Sequence, residues 1–132
     1  MTGIAFKKGT LLILTGPVPH FHIVMNDPVF SGEHGKDTVL VVNISSVKPH
    51  TYHDPSCVLH PGCHAFVRHP SWVVYEGATV MDTARIEEKV ASLDITTHEP
   101  ASDDLFEQVR LGFECSPHLK PKIRRYLKIH NI

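Results

Sequence analysis

Five of the chain's eleven histidines, His50, His53, His60, His64 and His69, fall within twenty residues. In the segment HTYHDPSCVLHPGCHAFVRHPSWVVY they are interleaved with Cys57, Cys63, Arg68, Ser71 and Tyr75. His20 and His22 stand two apart in a second stretch, PVPHFHIVM. An imidazole titrates near neutrality, so such residues can move protons, ligate a metal or contact phosphate. No other part of the chain concentrates reactive groups in this way.

The residues around them indicate how they are positioned. Apolar runs at 10–14, 21–25, 38–44 and 71–75, with 79–81 following, read as strands, and the turn-forming Asn26-Asp27-Pro28 closes the second. The first ends at Gly16-Pro17 and Pro19. In the second, Phe21, Ile23 and Met25 share one face while His20, His22 and Val24 share the other. The apolar trio belongs in the core, so the two histidines point together away from it. The run 38–44 is β-branched at five of its seven positions, which suits a strand covered on both faces. Its alternation puts Asn43 and Ser45 in line with Val39 and Val41. Likewise Ser71, Val73 and Tyr75 share a face. If the strands at 21–25 and 38–44 are neighbours, Ser45 or Ser46 comes close to the histidines.

Prolines at 49, 55, 61 and 70 forbid a long helix between 47 and 70, leaving a long connection with short strands at 57–59 and 65–67. Three later segments have helical signals. Ile86, Val90 and Leu93 mark a stripe over 83–92. Ser102 caps a helix with Leu105, Phe106 and Val109 on one side and Gly112 as its stop. Pro121 opens a third segment in which Ile123, Tyr126 and Leu127 face inward and Lys122, Arg125 and Lys128 face out. One domain follows, 1–132, with a β-barrel core at about 9–82 and a helical part at about 83–132.

The histidine connection admits three readings. Cys57, His60, Cys63 and His64 are zinc-compatible in kind, but their spacing does not fit the usual structural sites. His64, Arg68 and His69 can instead face a polyanion near His20 or His22. In the third reading Cys57, Phe66 and Trp72 fill the core and the histidines decorate a surface loop.

Composition narrows the class. With 42% hydrophobic and 20% charged residues the chain is globular, not disordered. No run approaches the ~20 apolar residues of a membrane span. The opening MTGIAFKKG lacks the apolar core of a signal peptide, so a cytoplasmic protein beginning at Met1 is expected. An odd cysteine count, three, argues against a disulfide framework. Neither a Gly-x-Ser-x-Gly elbow nor a glycine-rich phosphate loop is present. The formal charge is −1, yet the end of the chain carries Lys120, Lys122, Arg124, Arg125 and Lys128 without an acid, a patch suited to phosphate or an acidic partner.

In order, the stretches GTLLIL, GPVPHFHIVMND, TVLVVNISS, SWVVYEGATVMDTARI and SDDLFEQV resemble the MazF/PemK family of bacterial toxins over about residues 9–112. The resemblance implies a mainly β (α+β) fold, a small SH3-like β-barrel with one or two helices toward the C-terminus. It also implies metal-independent cleavage of RNA, a homodimer and an antitoxin-like protein partner in a toxin-antitoxin pair. Where the family has a catalytic arginine before its second strand, this chain has Pro19-His20-Phe21-His22, and the family's Thr or Ser corresponds to Ser45 or Ser46. Such a reaction needs a base for the 2′-hydroxyl, an acid for the leaving oxygen and donors for the charged phosphorane. The expected catalytic set is His20, His22, Ser45, His64 and Arg68. Ser46, His69, Ser71, Tyr75, Arg124 and Arg125 are expected to contact substrate, with no metal and no cofactor. The alternative is a barrel that binds nucleic acid or a protein without catalysis.

Overall fold

The computed structural model of the chain describes residues 4–15 and 18–132. Gly16 and Pro17, the expected break after the first strand, lie outside the described residues, as do residues 1–3 of the N-terminal segment. In chain order the elements are β1 (Thr10–Thr15), β2 (Val18–Val24), β3 (Val29–Ser31), β4 (Lys36–Ser46), β5 (Val58–Leu59), β6 (Ser71–Asp82), α1 (Thr83–Ala91), β7 (Ile95–His98), α2 (Asp103–Cys115) and α3 (Pro121–Ile129). The strands form one antiparallel sheet in the order β5-β6-β4-β2-β1-β7, with β3 added beside β4. The fold is mainly β: the sheet curls into a half-barrel, and all three helices follow β6. Among the described residues no helix is long and apolar enough to cross a membrane.

Alternation along the strands separates two cores. Phe21, Ile23 and Met25 join Leu40, Val42, Ile44, Val73 and Tyr75 on the main core face, under Leu105, Phe106, Val109 and Phe113 of α2 and Ile123 and Tyr126 of α3. Leu11, Val24, Val39, Val41 and Ile95 face the other way and are covered by Ile86 of α1. The central strand β4 is thus buried on both faces, which accounts for its run of mostly β-branched residues. Local caps set the helix starts. The Asp82 carboxylate accepts from Ala84 N at 2.9 Å, and Ser102 Oγ accepts from Leu105 N at 3.1 Å.

Several sequence expectations change on folding. β3 and β7 are strands that the apolar pattern does not announce, and 65–67 is a loop. β6 runs unbroken for 12 residues because a bulge absorbs its irregularity: Val41 pairs with Thr79, whereas Asn43 pairs with Val74. Gly77 lies in that bulge, where a Cβ would stand 2.8 Å from Asn43 Oδ1. Leu93 lies beyond the end of α1 at φ 65°, and is 76% exposed instead of completing the stripe with Ile86. Gly112 does not stop its helix: α2 continues three residues further, to Cys115. The glycine is there because the Tyr75 ring lies against it.

Candidate functional site

The pairing of β2 with β4 decides which reactive side chains are neighbours. Phe21 lies opposite Ile44 and His22 opposite Asn43, and one further step of this register sets His20 beside Ser45. On the far side of β4, Asn43 pairs with Val74 and Ser45 with Trp72. Cross-strand neighbours on one face have Cβ atoms about 4.5–5.5 Å apart. Two adjacent rows result on the second sheet face, His22–Asn43–Val74 and His20–Ser45–Trp72. They occupy the end of the sheet that α1 leaves uncovered. His20 is exposed, and His22, Asn43, Ser45, Trp72 and Val74 are half-buried. His53 adds a third imidazole beside this patch, its ring centroid 6.2 Å from that of Trp72.

The two strand histidines differ in exposure. His22 Nδ1 lies 2.9 Å from the carbonyl oxygen of His20. A carbonyl only accepts, so Nδ1 carries the proton and Nε2 presents its lone pair. Burial lowers the pKa of His22; the bond to the His20 carbonyl opposes the shift, and the neighbouring His20 charge adds to it. His22 is therefore a neutral imidazole at neutral pH with its basic nitrogen unprotonated, and the exposed His20 stands on the same face about 7 Å along the strand.

The remaining residues of the expected set separate. His64 does not meet His20 or His22: it is buried on the main core face, its ring centroid 4.9 Å from that of Phe21. Its Nδ1 accepts from Phe66 N at 3.2 Å, which leaves Nε2 to donate to Glu99 O at 3.0 Å. Both nitrogens are committed to backbone, and the imidazole acts as a tie between the connection and the segment after β7. Tyr75 is fully buried; its hydroxyl donates to Val109 O at 2.7 Å, and burial raises its pKa strongly. The expected substrate contact through Tyr75 is replaced by a core bond. Arg68 and His69 are exposed on the connection before β6. Ser46 and Ser71 pair across β4 and β6, with Ser71 Oγ donating to His69 O at 2.8 Å.

Arg124 and Arg125 lie far from His20 and His22. Tyr126 beside them shares a hydrogen bond with Thr38, near the start of β4, whereas Ser46 is its last residue. Eight residue steps along the strand separate the two, about 26 Å. Arg124 donates to Ser116 O at 2.9 Å and Arg125 pairs with Glu33 at 2.8 Å.

The zinc-compatible residues do not assemble. Cys57 is in the core, and burial pushes its thiol and that of Cys63 to higher pKa. Among the described residues no three His, Cys, Asp or Glu side chains come together as a metal site. The packing reading of the connection holds for Cys57 but not for its aromatics: Phe66 is 39% exposed, and Trp72 is half-buried on the opposite face. The buried carboxylate of Asp54, which sequence reasoning passed over, anchors this connection. It accepts from Ser116 Oγ at 2.6 Å, Ser56 Oγ at 2.6 Å and Ser56 N at 2.9 Å. These bonds hold its pKa below the usual carboxylate range despite burial.

A cleft of about 340 Å³ opens on the main core face at the same end of the sheet, with Ser46, Lys48, Phe66 and Ser71 in its lining and His20 and Ser45 in its wall. Patch and cleft therefore meet around the ends of β2 and β4. No family model matches the chain, nor does any curated protein or solved structure. The coordinates define a class by architecture alone: a curled antiparallel half-barrel packed against three helices.

Proposed function

We propose that this is a toxin-like barrel that cleaves RNA without a metal, through the histidine patch on its second sheet face. The observation that carries this reading is the placement of His22, neutral with Nε2 unprotonated, on one face with His20 and opposite Asn43. His22 Nε2 takes the proton of a 2′-hydroxyl, and the oxygen attacks the adjacent phosphorus. A protonated His20 delivers a proton to the departing 5′-oxygen, leaving a cyclic phosphate and a free hydroxyl. The Asn43 amide and Ser45 hydroxyl donate to the phosphoryl oxygens, and Trp72 offers a surface on which a base can stack. The resemblance to the MazF/PemK toxins supports the same reading and adds a homodimer and an antitoxin-like partner to it.

A second reading, RNA binding without cleavage, is favoured by the charge of the patch: its two rows contain no lysine or arginine to stabilise a phosphorane. RNA incubated with the protein in chelator separates the two. Cleavage should appear with wild type and fall about 10²–10⁴-fold in His22→Ala and in His20→Ala. Salt-sensitive binding with no cleavage would establish the second reading. A protein that neither cuts nor binds RNA would refute both.

A further inference from the structure

We propose that the cleft beyond the ends of β2 and β4 holds one unpaired nucleotide, its base stacked on Phe66 and its phosphate paired with Lys48. Three observations meet here. Phe66 is 39% exposed and lines the cleft, although it comes from a connection otherwise anchored by buried side chains. Its position is held from several sides. The His98 ring lies edge-on at 4.3 Å, Phe21 at 5.6 Å, and His64 is parallel to it at 5.7 Å. His64 is itself tied to Phe66 N and Glu99 O, so a partly exposed aromatic ring is held in the lining without the entropy loss of ordering a free side chain. A platform of this kind suits a base, because every base has a π-face.

The polar groups select the ligand class. Lys48 and the hydroxyls of Ser46 and Ser71 belong to the lining, and among the described residues no carboxylate does. An anion attached to a flat heteroaromatic ring complements that set, and a volume of about 340 Å³ accommodates a single nucleotide. An apolar peptide side chain would leave the lysine and the Ser46 hydroxyl without a role, whereas Ser71 already donates to His69 O.

This subsite adjoins the histidine patch, with which it shares His20 and Ser45, and it adds to the proposed function a position for the nucleotide next to the one cleaved. AMP and ribose 5-phosphate, titrated against the full chain and followed by amide chemical shifts, test it. AMP should bind with shifts concentrated at Lys48, Phe66 and Val67, and at least about fivefold more tightly than ribose 5-phosphate, since stacking one base contributes ~1–3 kcal/mol. Phe66→Ala should remove that preference and Phe66→Trp should keep it; Lys48→Ala should weaken both probes alike. Equal affinity for the two probes, or shifts lying elsewhere, would overturn the proposal. So would binding of N-acetyl-leucinamide in the cleft in place of AMP. RNA cleavage measured in parallel keeps the two ideas apart: binding without cleavage sinks only the nuclease reading, and cleavage without AMP binding sinks only the subsite.

Discussion

Replacing Gly112 with alanine pits two opposite effects against each other, and the structure says which wins. In an exposed helix interior the change would stabilise by about 1 kcal/mol, because alanine is the better helix former. Gly112 is not exposed. A Cβ there would overlap the hydroxyl and Cζ of Tyr75 and stand 2.9 Å from its Cε2. That ring cannot retreat easily: it is fully buried, stacks edge-on against Phe113 at 4.8 Å and donates to Val109 O. Overpacking costs about 1–3 kcal/mol, and breaking the buried tyrosine hydrogen bond about 1–3 more. After the helix-propensity gain, Gly112→Ala should lose roughly 3 kcal/mol, a large part of the 5–15 typical of a domain. Urea unfolding at fixed pH measures this. Gly32→Ala, where nothing lies within 4 Å of the new Cβ, serves as the control and should stay within about 0.5 kcal/mol of wild type. Tyr75→Phe combined with Gly112→Ala should be less destabilised than the sum of the single changes by more than about 0.5 kcal/mol, because the hydroxyl is part of the clash. A Gly112→Ala protein as stable as wild type would refute the packing account and restore Gly112 as an ordinary helix residue.

Two further outcomes follow from burial. The folded pKa of His22 is lowered below its ordinary value of 6.5, so the unfolded chain binds more protons between those two values. Stability contributed by His22 should be complete above pH 6.5 and decline on acidification toward the folded pKa, with a slope of at most about 1.4 kcal/mol per pH unit; chemical unfolding of wild type and His22→Asn at several pH values should show a flatter curve for the variant, and identical slopes would contradict the burial assignment. The three thiols should also differ in rate with a disulfide reagent at pH 8: Cys115 is exposed and reacts first, Cys63 is slower, and Cys57 reacts only on unfolding. A fast thiol that persists in Cys115→Ser would contradict that order.

Much of this protein is legible in short-range patterns. The alternation in PHFHIVM separates the histidines from the core trio, the β-branched run of β4 announces burial on both faces, and Ser102 marks the start of α2. Each signal operates within a few residues, through side-chain direction or a single cap. What lies beyond that range was decided by packing. Along β6 the two alternating sets are equally apolar, Val73 and Tyr75 against Trp72 and Val74, so hydrophobicity could not say which one faces the core. Helices α2 and α3 settle it by covering Tyr75 and leaving Trp72 at the patch. His64 looks like a reactive imidazole in a histidine-rich run, and only its contacts with Phe66 and Glu99 show both nitrogens engaged. The neighbours of His20 and His22 likewise depend on a pairing with β4 across some twenty residues of chain, and on the β6 bulge that admits Asn43. Periodicity determines which way a side chain points. What stands beside it is fixed by strand register and helix docking, which arise from contacts between distant parts of the chain.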